Sequence, residues 1–254
     1  MNRAYYSNSI SEFLNSSTDS ILGALSQNSE FADQTTQKGS WKEEVRILKE
    51  TLKPYNGAIY FEYAIPRMGK RIDVLLIIQS VIFILEFKVG EKEYPNYAVD
   101  QTMDYALDLK NFHETSHDKL IAPILISTQA LQSDLTVAMT PHNDQIIIPI
   151  RTNEKSLNEA IASILCLWGN DEFIQISTWE QGRYHPTPTI IEAALALYNN
   201  HSVEDITRKD ADSINLSETS EAISEIIQCS KEKSEKAICF VTGVPGAGKT
   251  LVGL

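Results

Sequence analysis

Two apolar runs separated by only two polar residues constrain the fold of this chain most strongly. Residues 72–78 and 81–89 are strand-like, and a two-residue turn at Gln79 and Ser80 would join them as a β-hairpin. Further strand-like runs occupy 58–65, 120–127 and 145–150, and helical patterns occupy 41–52, 97–112, 156–167 and 189–198. This order predicts an α/β domain in which a helix precedes a three-strand meander, followed by a second helix and two further strands.

Composition divides the chain into four parts. We assign residues 1–39 to an N-terminal helical segment, 40–200 to the α/β domain and 201–235 to a polar connector. Residues 236–254 then begin a second domain with a strand at 237–242. Ser40 is the predicted N-cap of the first domain helix, because Glu43 follows at the spacing of a capping box, and residues 27–40 are expected to form a loop.

The predicted hairpin places two carboxylates opposite each other. If Ile78 pairs with Val81, Asp73 faces Glu86, and Lys88 lies on the same side of its strand as Glu86. Facing carboxylates repel each other, and a carboxylate within an apolar strand is costly to bury. A divalent cation would offset both costs, because Mg²⁺ and Mn²⁺ prefer carboxylate, carbonyl and water ligands. The alternative is an exposed, solvated pair on an edge hairpin, with Lys88 as its salt-bridge partner.

An Asp on one strand followed by Glu-Phe-Lys on the next resembles the PD-(D/E)xK nuclease superfamily. The resemblance implies a restriction-endonuclease-like core, in which a mixed central sheet is flanked by helices. It also implies that Asp73, Glu86 and the carbonyl of Phe87 bind the metal, while Lys88 assists the attacking water. Ile72 stands where the name of the motif has Pro, a position that varies widely in the superfamily.

Members of this superfamily often have another acidic residue on the helix before the meander. Glu44 and Glu43 are the candidates here, and Glu62 in the first strand of the meander is a further one. Taken without the fold, each of the three fits an ordinary surface carboxylate better than a metal ligand.

Gln101 and Tyr105 have the Gln-x-x-x-Tyr spacing that RecB-like members of the superfamily carry on the helix after the core strands. Residues four apart share one face of a helix, so both side chains are expected to point to the active site or to the nucleic-acid backbone.

The last residues of the sequence contain a second motif. Residues 243–250 read Gly-Val-Pro-Gly-Ala-Gly-Lys-Thr, which is a P-loop. In such a loop Lys249 reaches the β and γ phosphates of ATP and Thr250 binds Mg²⁺, while Gly243, Gly246 and Gly248 let backbone N–H groups wrap the phosphates. We expect the nucleotide-binding domain to continue beyond Leu254, with its remaining parts there.

Residues 238–250 resemble the opening of the Schlafen-like group of superfamily-1 helicase ATPases, and residues 179–198 resemble the region that precedes the P-loop in that group. Together the two resemblances imply a metal-dependent DNA nuclease fused to an ATP-driven motor, an arrangement common in prokaryotic genome defence and repair. The alternatives are a catalytically silent nucleic-acid-binding or docking domain, and a nuclease directed at RNA.

Net charge, cysteine content and hydropathy limit which classes of protein this chain can belong to. The formal net charge of −12 excludes a global electrostatic attraction to nucleic acid, so any such contact must use local patches. The three cysteines form no CxxC pair and no ligand spacing with the five histidines, which disfavours zinc and disulfides. No run approaches the length of a membrane span. We expect a cytoplasmic protein without membrane contact, and a homo-oligomer stays open.

Overall fold

The computed structural model describes residues 3–29, 35–65, 70–142, 144–170, 172–184, 213–233 and 235–242. These residues form an α/β fold with a six-stranded mixed sheet. The strands are β1 (Tyr6–Ser9), β2 (Ala58–Ile65), β3 (Lys70–Ile78), β4 (Val81–Lys88), β5 (Leu120–Ser127) and β6 (Ile150–Thr152). The helices are α1 (Ile10–Asn15), α2 (Thr18–Asn28), α3 (Thr35–Thr51), α4 (Asn96–Phe112), α5 (Leu157–Trp168), α6 (Ile176–Glu180) and α7 (Ser213–Lys233), and Glu114–Ser116 is a 3₁₀ turn.

The six strands lie side by side in chain order. Strands β1 to β4 are antiparallel, whereas β4, β5 and β6 are parallel, and α4 makes the crossover between β4 and β5. Parallel neighbours require such a crossover, which a helix usually provides. Strand β4 therefore lies at the centre of the sheet, between the antiparallel and the parallel part.

Apolar layers cover both faces of the sheet. Val81, Phe83 and Leu85 of β4 belong to the core shared with α1, α2, α3 and α5, whereas Ile82 and Ile84 belong to the core shared with α4 and α6. A strand buried on both faces reads as a continuous apolar run rather than as an alternating one. This explains the composition of the run at 81–89.

Most of the predicted elements are confirmed. The strands at 58–65 and 120–127 have the predicted bounds, and β3, β4, α4 and α5 differ from prediction by one or two residues at their ends. Gln79 and Ser80 form the hairpin turn, and Ile78 pairs with Val81. The predicted helix at 189–198 lies outside the described residues.

The predicted start of the first domain helix is wrong. Ser40 is not an N-cap but lies within α3, and residues 35–40 are helical rather than a loop. The earlier turn carries Gln37, whose side-chain amide donates to the Glu62 carboxylate at 3.4 Å. A capping box is a local signal, and this tertiary contact favours the longer helix.

Two predicted strands are also corrected. The run at 145–150 makes isolated bridges at Ile146 and Ile147, and the regular strand begins only at Ile150, because Pro149 has no N–H for a ladder. Residues 237–242 are not a strand: they have no regular structure, and Ile238 and Phe240 are exposed. A strand needs a hydrogen-bonded neighbour, and no strand in the described ranges pairs with this run.

Strand β1 is absent from the sequence prediction. It pairs with β2 at the edge of the sheet, from Tyr6 opposite Phe61 to Ser9 opposite Ala58. Phe13 of α1 and Ile21 and Leu25 of α2 are buried in the same core as β2. The N-terminal segment therefore contributes a strand and core side chains to the sheet.

Candidate active site

The candidate site lies where the strands of the meander separate. The β3–β4 ladder ends at the pair Val74–Leu85, one residue before the predicted pair of Asp73 with Glu86. The backbone N–H of Phe87 donates instead to the Asp73 carboxylate at 2.8 Å. The register therefore agrees with the predicted pairing. In a continued ladder the Phe87 N–H would donate to a backbone carbonyl of β3, and here it donates to the Asp73 side chain instead.

The same point interrupts the other side of β3. The β2–β3 ladder pairs Phe61 with Val74 and Tyr63 with Ile72, and it skips Glu62, which lies across from Asp73. The φ angle of Glu62 is 54°, in the left-handed region that costs a residue with a Cβ roughly 1–2 kcal/mol. The alternation of side chains between the two faces shifts by one residue at this point: Phe61 and Val74 pack in one core, whereas Tyr63 and Ile72 pack in the other. The Glu62 and Asp73 carboxylates lie close enough for the charge of Glu62 to raise the pKa of Asp73.

Helix α3 supplies a third carboxylate. Glu44 is buried, and its Oε2 atom has no hydrogen-bond partner. Glu43, its neighbour on the helix, points to the surface and pairs with Arg46 at 2.7 Å. Of the two helical candidates, the structure thus brings Glu44 to the site and leaves Glu43 outside it.

Strand β4 supplies a carboxylate and a cation. Glu86 is only 2% exposed, and its Oε1 atom accepts a hydrogen bond from Lys88 Nζ at 2.7 Å. Its Oε2 atom is buried without a partner. The alternative of a solvated pair on an edge hairpin is wrong, because β4 is an interior strand and Glu86 is buried.

Glu62 is held in place from α3. Its Oε1 atom accepts a hydrogen bond from the Trp41 ring N–H at 2.8 Å, and Gln37 donates to the same oxygen. Arg71 donates to the Glu62 backbone carbonyl at 2.8 Å. Glu62 is therefore half-buried and fixed, rather than a freely moving surface carboxylate.

The electrostatic consequence is a set of carboxylates that resist ionisation together. Burial, followed by repulsion from Glu62 and Glu86, raises the pKa of Glu44 to about 8. Burial, then Glu86 and Glu44, raise the pKa of Asp73, against the opposing Phe87 N–H. Burial also raises the pKa of Glu86, although Lys88 opposes the shift. Ionising all of these carboxylates together would place more negative charge here than Lys88 can neutralise.

Helix α4 brings Gln101 and Tyr105 close to the carboxylates. The Gln101 side-chain amide donates to the Tyr105 hydroxyl at 2.6 Å, as the shared helix face predicts. Tyr105 is 1% exposed, and burial followed by the charge of Glu86 raises the pKa of its hydroxyl. The phenol therefore keeps its proton, which it can donate in a hydrogen bond.

The donor set suits a hard divalent cation. Two buried carboxylate oxygens, one on Glu44 and one on Glu86, lack hydrogen-bond partners. An ionised carboxylate can accept hydrogen bonds or bind a cation, but it cannot donate a hydrogen bond. Across the described ranges, no group of three or more His, Cys, Asp or Glu side chains is already arranged to hold a metal ion. Binding would therefore require these carboxylates to move toward the ion as they lose their protons.

Sequence reasoning missed two residues that shape this site. Gln37 and Trp41 fix Glu62, and neither has a motif that marks it. The one available signal is their spacing of four residues, which places both on one face of α3. The P-loop residues Gly243, Gly246, Gly248, Lys249 and Thr250 lie outside the described residues.

Comparisons with protein-family models, with curated proteins and with solved structures found no match to this chain. Within the described part of the chain, no helix combines the length and the apolar character needed to cross a bilayer.

Proposed function

We propose that the α/β domain is a metal-dependent nuclease of the PD-(D/E)xK type that hydrolyses phosphodiester bonds in DNA. One observation carries the proposal: Glu44 and Glu86 each bury a carboxylate oxygen without a partner, within a cluster that also contains Asp73 and Lys88. Burying several carboxylates together is costly unless a cation joins them. A cluster of this kind is a functional-site candidate with a physical reason for its composition.

The order of elements supports the same proposal. Helix α3, the meander β2–β4, helix α4 and strand β5 follow one another as in the restriction-endonuclease-like core. The Asp and the Glu-x-Lys motif lie on the second and third strands of this meander, near the ends where the strands separate.

Asp73, Glu86 and the backbone carbonyl of Phe87 would hold Mg²⁺ or Mn²⁺, with Glu44 as a further ligand. When bound, the ion stabilises negative charge on the phosphate as a Lewis acid. Glu62 lies beside this set and adds to its negative charge.

Lys88 is the residue that we assign to positioning the water that attacks the phosphate. Burial alone would lower the pKa of Lys88, but the charge of Glu86 and the hydrogen bond to it outweigh burial and raise it. The ammonium group is therefore protonated at neutral pH. We assign it to orienting the attacking water and to stabilising charge on the phosphate, rather than to removing a proton.

In the same proposal, residues 243–250 bind ATP, and ATP turnover by a helicase-like motor controls access to the nuclease site. A nuclease joined to such a motor fits a role in antiviral defence or genome repair.

The test compares cleavage by wild type, Lys88→Ala and Lys92→Ala. Lys92 is the matched control, because it is an exposed lysine shortly after β4. Substrates are linear, circular and single-stranded DNA, and RNA of the same sequence, each with Mg²⁺, Mn²⁺ or EDTA. We expect wild type and Lys92→Ala to cut with metal, and Lys88→Ala to be slower by at least ~100-fold.

Equal cleavage by Lys88→Ala would assign the activity to a contaminant or to another site. Absence of cleavage by wild type, together with a Mn²⁺ affinity that Asp73→Ala does not change, would instead indicate a binding or docking domain. Cleavage of RNA but not of DNA would show that the substrate is RNA rather than DNA.

A further inference from the structure

An exposed aromatic ring lies next to the candidate active site. Tyr97 is in the first turn of α4 and is 65% exposed. The ring centroid lies 5.8 Å from Lys88 Nζ, so one side of the ring is near the ammonium group. Most of the ring remains open to solvent.

The net charge of the chain provides no general electrostatic attraction to nucleic acid. Phosphate contacts by Lys and Arg usually dominate the affinity for DNA, and the net charge here is −12. Stacking of a base on an aromatic ring depends much less on net charge and contributes roughly 1–3 kcal/mol per base. An open ring beside the lysine is therefore the feature best suited to hold a nucleotide at this site.

A base can stack on an aromatic side chain only if at least one of its faces is not covered by a neighbouring base. A base within a duplex has both faces covered, whereas a base in a single strand or at a frayed end has not. On the proposed nuclease function, we infer that Tyr97 stacks an unpaired base beside the scissile phosphate, so that the site takes single-stranded nucleic acid or a frayed end.

The test measures binding separately from cleavage. Fluorescence anisotropy compares a labelled single strand with a blunt duplex of the same sequence, with Ca²⁺ in place of Mg²⁺. The variants are Tyr97→Ala, Tyr97→Phe and Phe173→Ala. Phe173 is the matched control: it is 60% exposed and lies near the β3–β4 turn, where the Ile174 N–H donates to the Gln79 carbonyl at 2.9 Å.

We expect Tyr97→Ala to weaken single-strand binding by roughly 5- to 100-fold. Duplex binding should change less than about two-fold, and Tyr97→Phe and Phe173→Ala should resemble wild type, because the stacking ring is retained. In addition, 2-aminopurine placed along the strand should be quenched at one position by wild type and Tyr97→Phe, but not by Tyr97→Ala.

Equal losses on single strand and duplex, or a Tyr97→Phe variant as weak as Tyr97→Ala, would overturn the inference. Cleavage without any dependence on Tyr97 would overturn it while leaving the nuclease proposal intact. Binding and quenching through Tyr97 without cleavage in Mg²⁺ or Mn²⁺, and with a Mn²⁺ affinity that Asp73→Ala does not change, would support stacking on Tyr97 and refute the nuclease.

Discussion

At the scale of single residues, the carboxylate cluster opposes folding. Glu44 and Glu86 are buried with one unpartnered oxygen each, and their charges repel one another. Sites that perform chemistry often contain such local costs, which the rest of the fold must offset. The cost should therefore be measurable as a pH dependence of stability in the absence of metal.

Glu44 contributes to that dependence over a defined range of pH. The unfolded chain ionises Glu44 near pH 4.5, whereas the folded protein keeps it protonated until about pH 8. Stability without metal should fall as pH rises between these values, by an amount on the order of a few kcal/mol. Glu44→Gln is neutral at every pH, so its stability should not show this fall. The variant should therefore be more stable than wild type at pH 8.5.

Urea denaturation of wild type, Glu44→Gln and Glu43→Gln between pH 4.5 and 8.5, in EDTA, checks this prediction. Glu43 occupies the neighbouring position on α3 but pairs with Arg46 at the surface, so Glu43→Gln should follow the wild-type profile. Mn²⁺ should stabilise wild type more than Glu44→Gln. Identical pH profiles for the two variants would contradict the prediction.

At the scale of elements, the hairpin turn contains a second local cost. Gln79 has a φ of 55°, a conformation that glycine adopts without the penalty of a Cβ. A two-residue turn with positive φ at its first position favours glycine there. We expect Gln79→Gly to raise the free energy of unfolding by about 1 kcal/mol, as measured by urea denaturation.

Ser80→Gly is the matched control in the same turn. Ser80 has no positive φ, and its Oγ atom accepts a hydrogen bond from the Asn170 N–H at 3.3 Å. Glycine would gain nothing there and would cost about 0.5–1 kcal/mol through lost rigidity. If both glycine variants destabilised the protein equally, the left-handed turn would not be a source of strain.

The hairpin is also the part of the site that the sequence predicts best. Asp73, Glu86 and Lys88 follow from strand periodicity and a two-residue turn, both of which are local. Glu43 and Glu44 could not be separated from sequence, because the rotation of a helix about its axis depends on packing. The left-handed Glu62 likewise depends on contacts from Trp41 and Gln37.

Strand β1 illustrates the same limit at the edge of the sheet. Three of its four residues, Ser7, Asn8 and Ser9, are polar, so the strand lacks the apolar pattern that identifies β2 to β5. Its position is set by pairing with β2, which is remote in sequence. Non-local pairing of this kind is not encoded in a short window of residues.

At the scale of the whole molecule, a buried histidine joins three distant parts of the chain. His113 Nε2 lies 3.0 Å from Arg3 in the N-terminal segment, and His113 Nδ1 lies 2.7 Å from Ser116 Oγ. Trp179 of α6 also donates to Ser116 Oγ, at 2.9 Å. Burial, followed by the positive charge of Arg3, lowers the pKa of His113 to about 3, so this junction stays neutral at physiological pH.

Gly182 completes the junction, because a side chain there would collide with it. A Cβ atom at Gly182 would lie 2.2 Å from Thr115 Oγ1 and 3.1 Å from His113 Nε2. Thr115 cannot turn away without losing its hydrogen bond to the Trp179 carbonyl. We expect Gly182→Ala to lower the free energy of unfolding by about 1–3 kcal/mol.

Gly23→Ala provides the contrast, since Gly23 lies in α2 and a Cβ there meets nothing within 4 Å. That variant should gain about 0.5–1 kcal/mol from the better helix propensity of alanine. Thermal and urea denaturation of both variants check the pair. Because Arg3, His113 and Gly182 come from different parts of the chain, Gly182→Ala should destabilise the sheet as one cooperative unit. If Gly182→Ala were as stable as wild type, the contacts among Arg3, His113 and Gly182 would not contribute to the stability of the fold.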